Sequence, residues 1–497
     1  MYVYHFLSSE AKQNHRLPPS PPSLPIIGHL HHIGPLIHQS LHNLSTRYGP
    51  LIHLRLGSGS AATIIVSTPD LAQDFLKPND LNFSYRKYTL AINHITYGAG
   101  FSFAPYGPYW KFIKKLSTTE FLGVRNLGRF LDVRTRETRE LVAKLTVKAE
   151  RKESVNMTEE LLKLTNNVVS QMMMSIRCSG ANNEADEARD IVRNVTKIFG
   201  EFNVADFIWF CKKVDLQGFK KRYEEIRRRY DVLLEKIIVE REEMRRKREA
   251  KQKGKDGKGK DLLDLLLDVL EDEKAEIKIT RNHIKATILD FFVAGTDTTA
   301  ITLEWTLAEL INNPKVLQKA RNEIDTVVGN KRLVEESDAP NLPYIQAIIK
   351  ESLRLHPPIP LLIRKSNETV TVKGYDIPAG SMLYVNIWSI GRNPQYWDNP
   401  LEFNPDRFLE DGSSTLDVKG QSFQLLPFGT GRRSCPGVNL AIREAHVLVA
   451  MLIQCFEWNV KDGQVLNMDE QGGLTVPRAV DLVCFPSLRP NTPHIFT

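Results

Sequence analysis

The stretch Pro427-Phe428-Gly429-Thr430-Gly431-Arg432-Arg433-Ser434-Cys435-Pro436-Gly437 sets a single cysteine among glycines and arginines. Gly429 and Gly431 admit backbone angles that other residues resist, so the chain can turn tightly and bring amides close to the sulfur. Donors aimed at a thiolate lower its basicity and set the potential of a metal bound to it. A helical pattern over residues 438–453 follows, and a cysteine just before a helix start gains from the helix dipole, which favours the ionised form. Arg433 adds a fixed positive charge suited to a carboxylate on a bound cofactor. On this chemistry Cys435 is a reactive thiolate or a single-cysteine metal ligand. Inert packing, the commoner fate of a lone cysteine, is the reading assigned to Cys178, Cys211, Cys455 and Cys484.

The segment from Phe428 to Gly437 resembles the haem loop of the cytochrome P450 family, Phe-x-x-Gly-x-Arg-x-Cys-x-Gly, at every fixed position. The resemblance implies haem b (iron protoporphyrin IX) as cofactor and Cys435 as its metal ligand. Phe428 and Arg433 are then cofactor-binding residues. Thiolate donation would push the O–O bond toward cleavage.

Three further segments resemble family motifs, in the expected order. Glu351 and Arg354 lie three apart on a helix opened by Pro343 and closed by His356-Pro357-Pro358, a spacing that puts them on one face. Alone, such a pair is usually a surface ion pair of little consequence. Beside the cysteine loop it resembles Glu-x-x-Arg, whose partner is Arg407 of Pro405-Asp406-Arg407-Phe408, and the implied role is a buried structural network. Ala294-Gly295-Thr296-Asp297-Thr298-Thr299 interrupts an apolar helix: glycine and β-branched residues weaken it, and threonine hydroxyls can bond back to carbonyls and bend it. The resemblance makes Asp297 and Thr298 the catalytic acid–alcohol pair that relays protons during oxygen cleavage; a mere kink is the competing reading. Trp110 with Lys111 and Lys114 resembles a propionate-holding Trp-x-x-x-Arg helix, except that Lys114 stands where arginine is usual and lacks the bidentate fork. Arg364 matches another propionate-binding arginine.

Working outward, residues 51–56 and 62–66 alternate like strands across a Gly/Ser turn, and short strand-like pieces return at 369–373 and 382–387. Helical patterns dominate from about residue 70. Residues 97–110 read as a loop entering a helix, and residues 222–248 as a long charged helix running into the lysine-rich run 251–260, a solvated polar loop. The central helix starts at the N-cap Thr280 and runs to Ile311, where Asn312-Asn313-Pro314 stops it, a length of nearly ~50 Å. The fold class is therefore mainly α with small β-sheets, a single haem-thiolate domain spanning residues 26–497 behind an arm and proline hinge at 1–25. Residues 2–7 are apolar but too short to span a bilayer. The stiff run 16–25 reads as the hinge that follows a membrane anchor, the anchor itself trimmed or lost from this chain; an ordinary extended arm is the alternative.

A net charge of +7 over 497 residues, without a concentrated basic patch carrying interleaved aromatics, excludes nucleic acid and fits an anionic membrane surface or an acidic protein partner. Five scattered cysteines without CxxC spacing indicate a reducing compartment. No dinucleotide or flavin fingerprint is present, so a separate NADPH-cytochrome P450 reductase must supply electrons from NADPH. The resemblance is strongest to plant microsomal enzymes of flavonoid metabolism, flavone synthases II and flavanone 2-hydroxylases. It implies O2-dependent oxidation of a flavanone at C2/C3 on the cytosolic face of the endoplasmic reticulum membrane. Isoflavone synthases differ in carrying lysine where this chain has Ile363 and serine where it has Thr298. The substrate walls implied are Phe101, Phe103, Gly295, Ile359, Ile363, Leu474 and Thr475, with plain core packing as the competing reading. A haem-thiolate isomerase or lyase and a non-catalytic haem sensor have no need of the acid–alcohol pair.

Overall fold

The computed structural model describes residues 16–59, 61–178, 183–250, 260–409, 415–490 and 492–493. Its axis is the helix Arg281–Asn312, about 48 Å long at 1.5 Å per residue. The N-cap Thr280 N–H donates to His283 Nδ1 at 3.2 Å, and Asn313, which donates to Glu309 O, precedes the next helix, Pro314–Val327. Being apolar on most faces, it sits inside. Helices Met157–Met174, Asn183–Gly200, Leu262–Glu271, Pro343–Leu355 and Val438–Cys455 pack around it. Two buried clusters share it: Leu303, Leu307 and Leu310 pack with Ile348 and Leu452, while Ile284, Ile288 and Phe291 pack with Met173 and Leu234.

The main sheet orders Leu51–Leu54, Thr63–Val66, Met382–Asn386 and Leu361–Lys365. The outer pairs are antiparallel and the middle pair parallel, which puts Ile363 opposite Tyr384 and Arg364 opposite Leu383. Alternation along Leu361–Lys365 sends Leu362 and Arg364 inward. Val155–Asn156, Val483–Leu488 and Phe456–Asn459 form a second sheet, and Val370–Val372 with Tyr375–Ile377 a hairpin.

Boundaries shift modestly from the sequence reading. The strand expected at 382–387 ends at Asn386, because the Asn386 side chain caps a short helix, Ile387–Ile390. The charged helix is Phe219–Ala250; the lysine-rich run after it lies, at 251–259, outside the described residues, as do residues 2–7. Residues 16–25 lie against the sheet, where His53 N–H donates to Pro19 O at 2.9 Å. The helix continues through 294–299, where Thr298 Oγ1 donates back to Ala294 O at 2.7 Å. Among the described residues one helix, Val438–Cys455, is long and apolar enough to cross a membrane, and it is mostly buried in the core.

Candidate active site

Cys178, Cys211, Cys455 and Cys484 are buried, whereas Cys435 has accessible surface. That surface faces inward, onto a chamber of about 670 Å³ between the cysteine loop and the central helix, well within the roughly 300–1,000 Å³ of small-molecule sites. The loop is pinned from both sides. Cys435 N–H donates to Phe428 O at 2.9 Å, and Gly437 N–H donates to Cys435 Sγ at 3.3 Å. Gly429 and Gly431 both have positive φ, as the tight turn requires. The helix start does not by itself ionise the sulfur, contrary to the sequence expectation: burial pushes the thiol up, and the Gly437 N–H, Lys114 and Arg86 only partly oppose it. A metal cation at the sulfur overrides this balance, since a coordinating thiol is deprotonated outright.

On one wall of the chamber the cations gather. Arg86, Lys114, Arg364 and Arg433 all line it. Arg433 donates through Nε to Ser84 O at 2.7 Å and through Nη2 to Ala104 O, stacks 4.5 Å over the Trp110 ring, and leaves Nη1 buried without a partner. Arg364 reaches Ile363 O at 3.1 Å and Arg433 O at 3.4 Å. Lys114 Nζ donates to Ser434 O at 2.5 Å. Burial, then Arg86 beside it, holds Arg433 down to about 9; burial also holds Lys114 down to about 8 and Arg364 well below the usual arginine range. Cations desolvated and set against one another are costly unless an anion completes them. With an orphaned N–H buried beside them, the arrangement fits a flat cofactor bearing two carboxylates. Cys435 would ligate the haem iron, and the four cations would face the propionates.

Arg86 escaped the sequence reading, since in Tyr85-Arg86-Lys87 it looks like ordinary surface charge. So did Asp290, which lines the chamber and accepts from Ser102 N–H at 3.0 Å; burial raises its carboxyl to about 6. Thr298 lines the chamber from the central helix, together with Thr299 and Thr302. Its neighbour Asp297 points aside, accepting from Thr475 Oγ1 at 2.6 Å, and burial raises its carboxyl. Phe101, Phe103, Ile359, Ile363, Leu474 and Thr475 line the chamber. Gly295 does not: a Cβ there would meet Val169 Cγ2 at 3.1 Å, so this glycine serves the close packing of the central helix on Met157–Met174. Behind the cofactor side, Glu351 accepts from Arg354 at 2.6 and 2.7 Å and from Arg407 Nε at 3.1 Å.

A chamber so built is an oxygenation site, and the molecule is a haem-thiolate monooxygenase. The chain belongs to the cytochrome P450 family, whose pattern, described as "Cytochrome P450", matches residues 18–485. It is 71% identical to cytochrome P450 93B2 of Gerbera hybrida over 98% of this chain and 94% of that protein. It is 56% identical to cytochrome P450 93B16 of Glycine max (97% and 94%) and 47% identical to a 2-hydroxyisoflavanone synthase of Glycyrrhiza uralensis (97% and 93%). Among solved structures, a zebra fish cytochrome P450 with progesterone superposes with a TM-score of 0.76 at 26% identity, covering 91% of this chain and 99% of that one. These relatives place the chain among plant cytochromes P450 of family 93, with haem as cofactor and a redox partner as electron source.

Proposed function

We propose that this monooxygenase is a flavone synthase II, oxidising a flavanone at C2/C3 to a flavone. In the balance, the substrate gives up two hydrogens, and O2 with two electrons and two protons from NADPH and medium becomes two waters. The observation that carries the reading is the chamber's lining: Phe101, Phe103, Ile359, Ile363 and Leu474 offer flat apolar walls with Thr298, Thr299 and Thr475 as sparse hydroxyls, matching a planar phenol-edged substrate. The likeness to a protein named 2-hydroxyisoflavanone synthase supports the flavonoid class; Ile363 and Thr298 weigh against that enzyme's own reaction.

Bound haem supplies the electron-transfer and O2 chemistry. The chain supplies position and protons. The apolar walls orient the substrate and exclude water. Burial raises the Asp297 carboxyl, and Asp297 with Thr298, whose Oγ1 is bonded to Ala294 O, would relay protons into the chamber. Electrons would come from NADPH through NADPH-cytochrome P450 reductase.

The assignment includes docking on the cytosolic face of the endoplasmic reticulum membrane, with residues 1–25 as arm and hinge before a domain at 26–497. Supporting it, Trp209 (68% exposed), Phe210, Val214 and Leu216 stand out beside Lys212 and Lys213, and Leu24 and Ile26 of the hinge region are exposed as well. Apolar and basic groups together suit an anionic interface.

The test is product analysis with naringenin, purified haem-loaded protein, a plant reductase and NADPH. Apigenin as first product supports the proposal. 2-Hydroxynaringenin instead moves the assignment to a flavanone 2-hydroxylase, and neither product, from protein with a thiolate–haem carbon monoxide spectrum, overturns the substrate.

A further inference from the structure

The acid and the alcohol of the central helix point different ways. Thr298 faces the chamber, whereas the carboxylate of Asp297 is absent from its lining and is held by the hydroxyl of Thr475 at 2.6 Å. Thr475 itself lines the chamber and is 7% exposed. One side chain therefore touches both the space a substrate fills and the acid.

The loop that carries Thr475 is fixed on three sides. A Cβ on Gly200 would sit 2.2 Å from Leu474 N, so the loop backbone lies directly on the end of helix Asn183–Gly200. Val476 N–H donates to Pro358 O at 2.9 Å. Val476 O accepts from Trp305 Nε1 at 3.0 Å, two turns along the central helix from Asp297. A hydroxyl so anchored has little freedom to follow the carboxylate if it swings. Among the described residues the cation that acts on Asp297, Arg193, is exposed and works at a distance, and the Thr475 hydroxyl is its direct hydrogen-bond partner.

We propose that Thr475 is a positioning residue whose hydroxyl parks the Asp297 carboxyl beside the chamber, coupling that acid to the substrate-facing loop 472–475. This rests on Asp297 being the acid of the proposed reaction. Because the loop is fixed, the hydroxyl holds the carboxyl in one place with the chamber empty or filled.

Two readouts on the haem-loaded protein test this. The first is the infrared carboxyl band of Asp297, assigned by its loss in D297N and followed in T475V and T475S without substrate. The second is the share of NADPH electrons that leaves as hydrogen peroxide (NADPH, H⁺ and O2 giving NADP⁺ and H2O2) with naringenin present. T475V is expected to shift the band and raise the peroxide share roughly fivefold, the size of one lost hydrogen bond to an acid; T475S restores both. T475A stands in if the valine variant does not retain haem. An unmoved band in T475V, or a serine variant that shifts as far as valine, overturns the positioning role. A band that behaves as expected while naringenin yields neither flavone nor 2-hydroxyflavanone leaves Thr475 in place and removes the substrate assignment alone.

Discussion

Arg354 closes on Glu351 along both donor edges, Nε to Oε2 at 2.6 Å and Nη2 to Oε1 at 2.7 Å, with neither side chain reaching solvent. Three turns of backbone hang on the same guanidinium, which also donates to Gly391 O, Pro400 O and Glu402 O, while Asn404 N–H and Arg407 Nε share Glu351. The pair thus ties helix Pro343–Leu355 to the segment 391–408 that leads to the cysteine loop. Removing one partner leaves an uncompensated buried charge, a loss of about 3–5 kcal/mol. R354A and E351A are therefore expected to melt well below the parent in a thermal scan and to lose the thiolate–haem spectrum, whereas K350A, one residue away, retains it.

Arg433 lines the chamber and keeps a buried, unpartnered Nη1. A charge-assisted hydrogen bond to a carboxylate contributes about 1.5–3 kcal/mol. R433L is expected to release haem to a scavenging apoprotein at least roughly tenfold faster than the parent. R86L should act in the same direction, because Arg86 shares the chamber wall. Unchanged release in both would remove the propionate assignment.

Glu444 is buried on helix Val438–Cys455 with both carboxyl oxygens unpartnered. Burial raises its carboxyl from the ordinary 4.5 to about 8, with Arg134 opposing. The folded chain thus keeps a proton that the unfolded chain gives up above pH 4.5. Its contribution to stability is full at low pH, is lost as pH climbs from about 4.5, and levels off once the folded group ionises near 8. Urea midpoints of parent and E444Q measured across that window should converge at low pH and separate in favour of the glutamine variant above neutrality. Parallel profiles would refute the assignment.

Asp290 holds the chamber wall through Ser102 N–H at 3.0 Å, and its carboxylate lies so close to Gly100 that a Cβ there would sit 3.1 Å from Oδ2. D290A should loosen the 98–104 segment and weaken substrate binding, read as the haem spectral shift on titration, by roughly fivefold to tenfold. D290N, which keeps an acceptor, should lose less. Because burial raises Asp290 to about 6 and the bond favours the ionised form, affinity should also fall as pH drops through 6.

Periodicity and local composition were enough for the central helix and the cysteine turn, and the resemblance to family motifs supplied the Glu351–Arg354–Arg407 network. Each is encoded locally: an apolar helix announces itself by composition, a tight turn by its glycines, an i,i+3 pair by its spacing. Lys114, Arg364 and Arg433 were legible for the same reason, being embedded in recognisable strings. Arg86 and Asp290 were not, because nothing adjacent to either marks it; only the packing of residues 98–104 against the central helix brings them to the cofactor wall. Gly295 read as a pocket wall because it sits in the Ala294–Thr299 string, yet helix rotation turns it onto Val169.

The sequence by itself determined that one cysteine sits in a glycine turn ahead of a helix and that a long apolar helix runs through the core, since those choices rest on backbone freedom and hydrophobic period within a short window. Tertiary structure alone decided which side chains meet across the chamber. Thr475 lies 178 residues from Asp297 in the chain and 2.6 Å from it in space. No local pattern records such a pairing, because it is fixed by where a C-terminal loop lands on the central helix.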